Sequence, residues 1–148
     1  MHIKKSALAF LLALGLGAPA VGLAASSGTT LQSANTDVAN TASLQRGARN
    51  FMNYCSGCHS ARYVRYSRLA ADLGLTEAQV IENLMFSGER IHDTIQASLR
   101  PQDAARWFGT APPDLTLIAR SRGTDYIYTF LKSFYLDPKR PTGVNNLA

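Results

Sequence analysis

The sequence predicts an all-α domain of short helices joined by long loops. Three observations carry that prediction. Apolar residues recur at intervals of three and four in several segments, start and stop signals bracket those segments, and no run alternates apolar with polar residues between hairpin turns. No internal repeat is visible.

The first residues stand apart from this domain. Met1-His2-Ile3-Lys4-Lys5 is followed by an apolar run from Ala7 to Leu16, then by Ala18-Pro19-Ala20 and Gly22-Leu23-Ala24. A basic start, a short apolar stretch and small residues before a cut describe a cleavable secretory signal peptide, expected over residues 1–24. The apolar run is shorter than the roughly 20 residues that a membrane-spanning helix needs. Cleavage leaves 124 residues, one small domain, and lowers the net charge from +5 to +3 as Lys4 and Lys5 depart. The remaining basic residues are interleaved with acids, so the electrostatic footprint of a nucleic-acid binder is missing and no nucleic-acid partner is expected.

Residues 25–42, "ASSGTTLQSANTDVANTA", are small and polar without an apolar period, and read as a flexible mature N-terminus. The domain proper is expected over residues 43–148. In "SLQRGARNFMNYC" the spacing of Leu44, Ala48, Phe51 and Cys55 predicts a helix running up to the first cysteine. In "LTEAQVIENLMFSG" Thr76 and Gln79 form a capping box, and Leu75 with Val80 forms a hydrophobic staple. Val80, Ile81, Leu84 and Met85 make its buried stripe, and Gly88 closes it. "RPQDAARWFG" has Pro101 in a first turn and Gly109 after the end, which fits a short helix. "PPDLTLIARSRG" predicts another from Pro112-Pro113-Asp114 to Gly123. "TDYIYTFLKSFYLDP" places Tyr126 or Ile127, Phe130, Leu131 and Phe134 on one face before Asp137-Pro138 stops it. Helices this short depend on tertiary packing rather than on propensity, so the domain needs a further core element.

Cys55-Ser56-Gly57-Cys58-His59 supplies a candidate. Cys-x-x-Cys-His is the attachment pattern of c-type haem. One helical turn separates the two sulfurs, so each can form a thioether with a porphyrin vinyl group, and the next residue, His59, can ligate the iron. Ser56 and Gly57 are small enough to let the backbone lie close to the ring. A dithiol redox pair expects a βαβ context, and a structural zinc site needs four ligands where only Cys55, Cys58 and His59 are local, with His92 distant. A structural disulfide has no need of His59. For the sixth iron position the methionines are Met52, too near the motif to reach the other haem face, and Met85, on an apolar helix face where a packing role is the plainer reading. His92 falls on a loop facing water.

With the motif in place, "LQRGARNFMNYCSGCHSARYVRYSRL", "DLGLTEAQV", "WFGTAPPDLTLIARSRGTDYIYTFL" and "FYLDPKRPTGVNN" closely resemble the cytochrome c1 family, the c-haem subunits of ubiquinol-cytochrome c reductase, complex III. The resemblance covers about residues 43–148. It implies a small all-α cytochrome c-type domain with one covalent haem c on the periplasmic side of a bacterial inner membrane, assembled with cytochrome b. An electron arrives from a Rieske iron-sulfur subunit and leaves to a cytochrome c, and no bond in a substrate is made or broken. Carried over residue by residue, Cys55 and Cys58 hold the haem, His59 is the proximal ligand, and Ala111, Pro112 and Pro113 line it. Arg120 and Tyr126 resemble residues that reach the haem propionates, where an arginine fork suits a carboxylate. In the family the distal Met and a C-terminal membrane helix lie beyond the point matching Asn145-Asn146, so this chain, ending at Ala148, is expected to be truncated and to lack both. Two other functions fit the motif, a free periplasmic monohaem cytochrome c and a haem sensor or peroxidase with an open sixth iron position.

Overall fold

The computed structural model describes residues 29–148, and the expected signal peptide lies outside the described residues. The helical expectation holds for most of the framework. Helix α1 spans Thr41–Asn50 and continues directly into a π-helical segment, Phe51–Cys55. After the motif come strand β1, Ala61–Arg65, and helices α2, Tyr66–Leu73, and α3, Glu77–Asn83. Strand β2, Thr94–Ile95, precedes α4, Pro101–Phe108, α5, Ile118–Arg122, and α6, Thr124–Lys132. Strands β3, Phe134–Leu136, and β4, Val144–Asn146, end the chain.

The local signals explain where these helices start. Asn40 caps α1 by accepting from the Ser43 N–H at 3.0 Å, and Arg49 sits in the last turn, where the helix dipole favours a cation. The capping box of α3 forms as read. Thr76 Oγ1 accepts from the Gln79 N–H at 3.2 Å while Gln79 Oε1 accepts from the Thr76 N–H at 2.9 Å. Pro101 opens α4, and Gly109, with φ +77°, ends it in the left-handed conformation that glycine adopts without strain.

Four expectations need correction. The described residues also carry two small antiparallel sheets, β1 with β2 and β3 with β4. The β1–β2 pairing is interrupted by a register shift between Ala61 and Arg65, and strands of two to five residues are too short to display an alternation. Helix α3 ends at Asn83 rather than at Gly88. Leu84 leaves the helical region with φ −130°, which leaves Ile81 exposed while Leu84 and Val80 are buried. Helix α6 stops at Lys132, and Phe134 begins β3 instead of extending the helical stripe. The stretch 25–42, expected to be flexible, is tied down from Thr29 onward. The Gln32 N–H donates to Thr129 Oγ1 at 2.8 Å, the Ala34 N–H to Asp125 Oδ1 at 2.8 Å, and the Lys132 ammonium to Gln32 Oε1 at 3.1 Å. A polar sequence without periodicity can still order when a neighbouring helix offers it partners.

The core lies on the N-terminal side of the described chain. Met52, Ala61, Tyr66, Ala70, Val80, Leu84 and Ile95 form one buried cluster, with Phe51, Leu75 and Met85 packed against it. Tyr66 is at its centre, and its hydroxyl shares a 3.1 Å hydrogen bond with Ser87 Oγ, which donates to the Gln96 carbonyl at 2.6 Å. The loop after α3 therefore runs across the tyrosine ring, and the residue lying on that ring is Gly88.

A Cβ at position 88 would stand 2.8 Å from Tyr66 Cε2 and 3.3 Å from Met85 Cγ. Gly88→Ala is expected to cost roughly 1–3 kcal/mol by overpacking. Gly47 lies within α1 with nothing within 4 Å of such a Cβ, so Gly47→Ala should stabilise by about 0.5–1 kcal/mol. Urea midpoints moving in opposite directions at unchanged slope would show both effects.

Candidate haem site

The motif grows out of the π-helical segment. The Ser56 N–H reaches back to the Phe51 carbonyl at 2.9 Å, the wider ring that defines such a turn, and the Cys58 and His59 N–H groups both donate to the Cys55 carbonyl, at 3.1 and 2.8 Å. Cys55 and Cys58 are thus separated by one turn, and both are free thiols, Cys55 half-buried and Cys58 exposed. Ser56 turns inward. It is buried, and its hydroxyl donates to the Met52 carbonyl at 2.8 Å, which ties the motif to the core. Gly57 is the position that leaves open space, with nothing within 4 Å of a would-be Cβ.

His59 Nδ1 lies 2.8 Å from the Pro113 carbonyl oxygen. A carbonyl oxygen can only accept, so Nδ1 carries the proton and the neutral ring keeps its lone pair on Nε2. An outer hydrogen bond of this kind fixes the tautomer and the ring orientation of a metal-ligating histidine.

Two segments hold this arrangement from either side. On one, the Ala97 N–H donates to Ser60 Oγ at 2.8 Å and the Leu99 N–H to the Gly57 carbonyl at 3.0 Å. On the other, residues 113–116 run beside residues 59–63. The Leu115 N–H donates to the Ser60 carbonyl at 2.8 Å, and Asp114 Oδ2 accepts from the backbone N–H and side-chain Nε of Arg62 at 2.9 and 3.3 Å. Asp114 Oδ1 accepts from the Thr116 N–H at 2.9 Å. The helix expected from Pro112 therefore begins only at Ile118, because the polar groups of residues 113–116 are engaged across to the motif. Asp114, Arg62 and Ser60 were not singled out from the sequence. The Asp114-Leu115-Thr116 spacing, an acid two residues before its own backbone partner, is the signal that marks such a turn.

The other sequence-derived residues fall into two groups. Cys58 and Pro112 line a cavity of about 170 Å³ with Ala111, Asp114 and Leu99, beside His59 and Pro113. Arg120 and Tyr126 do not line it. Arg120 is exposed on α5, and Tyr126 lies on α6, where the guanidinium of Arg122 rather than Arg120 sits 5.0 Å above its ring. Met85 packs against the core beside Gly88, Met52 is buried in that core, and His92 is exposed. A second, apolar groove of about 410 Å³ runs along α1, bordered by Leu44, Ala48, Phe51, Val64 and Leu115.

This donor set fits a c-type haem. Two free thiols one turn apart, an imidazole with Nε2 open, and clear space at Gly57 are what double thioether attachment and axial ligation ask of a chain. It suits the alternatives less well. A catalytic dithiol is activated by a depressed pKa, whereas burial pushes the Cys55 thiol up. Among the described residues no three His, Cys, Asp or Glu side chains converge as a metal-binding set, where structural zinc takes four ligands.

Comparison with known proteins decides the family. Residues 32–147 match the model of the Cytochrome C1 family. The chain belongs to the cytochrome c1 family. It is 54% identical over 130 residues, 88% of its length, to "Cytochrome c1" of Allochromatium vinosum. It is 41% identical over 138 residues, 93% of its length, to "Ammonia monooxygenase gamma subunit" of Nitrosomonas europaea. It is 32% identical over 121 residues, 70% of its length, to "Cytochrome c1, heme protein, mitochondrial" of Schizosaccharomyces pombe. The matched regions span 53%, 58% and 38% of those relatives, so the chain corresponds to about half of a family member's length.

Burial pushes the Asp114 carboxyl up, but hydrogen bonds from the Thr116 side chain, the Arg62 backbone, the Thr116 backbone and the Arg62 side chain outweigh it and hold the group at about 2. The ordinary value is 3.8, so this stabilisation is complete above about pH 4 and is lost as pH falls toward 2. Asp114→Asn should lower stability by about 1–2 kcal/mol at neutral pH. The difference from the unmodified chain should shrink as pH falls from about 4 to 2, read as urea midpoints across that range.

Proposed function

We propose that this chain is an electron-transfer subunit that carries one haem c. In this reading Cys55 and Cys58 hold the group as thioethers, each S–H adding across a vinyl double bond so that the hydrogen ends on the vinyl carbon and no oxidant is consumed. His59 Nε2 is the proximal iron ligand. The observation that carries the reading is the 2.8 Å hydrogen bond from His59 Nδ1 to the Pro113 carbonyl, since it leaves Nε2 as a preset lone pair immediately after the paired thiols. Haem supplies the one-electron couple when bound, and the chain's part is to hold it, orient the imidazole and line it with Ala111, Pro112 and Pro113. Pro112 and Pro113 suit such a lining because a proline has no N–H to satisfy. Arg120 and Tyr126 are proposed as propionate partners. Met85 is engaged with the core, so only the proximal ligand is assigned within the described residues.

The physiological roles follow from the family. The electron donor is proposed to be a Rieske iron-sulfur protein and the acceptor a cytochrome c, in a quinol-cytochrome c reductase that also contains cytochrome b. The proposed location is the periplasmic side of a bacterial inner membrane, with residues 1–24 acting as the export signal. Among the described residues no helix is long and apolar enough to cross a membrane.

Export of the full sequence into the periplasm of a host with a cytochrome c maturation system should yield a chain that keeps haem on a denaturing gel. Cys55→Ser and Cys58→Ser should each leave one thioether and move the pyridine haemochrome α-band to longer wavelength, and the double variant should lose essentially all bound haem. His59→Ala should weaken iron ligation and lower the yield of loaded chain. A wild-type chain that emerges without covalent haem would overturn the reading. Reduction of the loaded chain by a reduced Rieske protein, followed by stopped flow, tests the proposed electron donor.

A further inference from the structure

We infer that Asp114 is a positioning residue for His59, acting through the Pro113 carbonyl. Asp114 contacts neither the imidazole nor the thiols. It follows Pro113 in the chain, and its two oxygens take hydrogen bonds from the backbone and side chain of both Arg62 and Thr116. Arg62 belongs to the strand that leaves the motif, three residues after His59. The carboxylate therefore links the segment that carries the accepting carbonyl to the segment that carries the donating imidazole.

The linkage closes a small loop of contacts. His59 Nδ1 donates to the Pro113 carbonyl at 2.8 Å, the Leu115 N–H donates to the Ser60 carbonyl at 2.8 Å, and the Arg62 N–H donates to Asp114 Oδ2 at 2.9 Å. These hydrogen bonds alternate in direction between the two segments, as in a short ladder. The Pro113 carbonyl lies in one peptide plane with the Asp114 N–H, so the conformation held at Asp114 directs it. The plane is set by its neighbours, and the neighbour with the most bonds is Asp114.

The carboxylate is chemically necessary for that role. The groups that face it from Arg62 and Thr116 all donate, and an ionised carboxylate accepts on both oxygens. An asparagine offers one oxygen and one NH₂, so whichever way it turns, a donor meets a donor at one end. The segment should then loosen, and the Pro113 carbonyl should no longer be held at hydrogen-bond distance from Nδ1. A histidine released in this way can place its proton on Nε2, the nitrogen that the iron requires bare.

Two readouts test this, and only the second rests on the haem reading. The first is ¹⁵N NMR of the His59 side chain in the full-length chain before haem is loaded. The unmodified chain should show the Nδ1–H tautomer, and Asp114→Asn should shift the population toward Nε2–H. The second is the iron–histidine stretching frequency of the ferrous haem-loaded chain by resonance Raman, which should fall in the variant as the Nδ1 hydrogen bond weakens. Gly88→Ala is the control for general destabilisation, since it strains the core around Tyr66, and it should leave both signals in place. If Asp114→Asn does not fold, Arg62→Gln removes the side-chain hydrogen bond while keeping the backbone donor, and should move the tautomer signal in the same direction by a smaller amount. An unchanged His59 tautomer in a folded variant overturns the inference. Failure to load haem at all overturns the functional reading and leaves the NMR result to decide the role of Asp114.

Discussion

The candidate site depends on a single hydrogen bond, from His59 Nδ1 to the carbonyl of Pro113. An imidazole free in water can place its proton on either nitrogen and turn about two bonds. Here a backbone carbonyl removes both freedoms, because it accepts from one nitrogen only and stands in one place. The consequence reaches past His59. Residues 113–116 must stay out of the helix to present that carbonyl, because a helix starting at Pro112 would turn it along the helix axis. The late start of α5 is thus the conformational cost of the hydrogen bond, offset by the Asp114 and Leu115 contacts to the motif strand.

A second constraint anchors the motif to the core from behind. The π-helical segment closes its hydrogen-bonded rings one residue wider than the α-helix it continues, and Ser56 caps it with an N–H to the Phe51 carbonyl. Ser56 is buried and bonded to the Met52 carbonyl, while Met52 itself is part of the cluster around Tyr66. The two cysteines and His59 are therefore mounted on the buried core of the described chain. Their outward sides stay open, with Cys58 exposed and Gly57 clear of neighbours. Rigid support with an open front would suit the covalent attachment proposed for these residues.

What was legible in the sequence follows from the range of each interaction. The capping box at Thr76 and Gln79, the Pro101 start and the Gly109 stop act within four residues, and each appears where it was read. The Cys-x-x-Cys-His spacing is local in the same sense. Interactions between distant segments were not legible. The β1–β2 pairing joins residues some thirty apart, and Thr29 to Ala34 order against α6, about a hundred residues later. Gly88 was read as a helix stop because glycine often serves that role, but its place is decided by the Tyr66 ring, which only the tertiary fold brings there. The stacking of Arg122 over Tyr126 is likewise a matter of which side chain the turn between α5 and α6 delivers.

The modest size of the cavity beside the motif bears on how such a chain would hold a large prosthetic group. A noncovalent site must supply affinity from enclosure, and pockets that do so are commonly about 300–1,000 Å³. The space beside Cys58 is about 170 Å³, well below that range. Two thioethers change the requirement, because a tethered group returns to its site at a high effective concentration whether or not the site encloses it. The chain then needs only to orient one axial ligand and offer apolar surface nearby. The pinned His59 does the first, and the groove along α1 with the exposed side chains of Trp107, Phe108 and Leu117 offers the second. In the proposed reading, covalent attachment and a shallow site go together, and the strongest internal demand falls on the orientation of the imidazole rather than on the depth of a pocket.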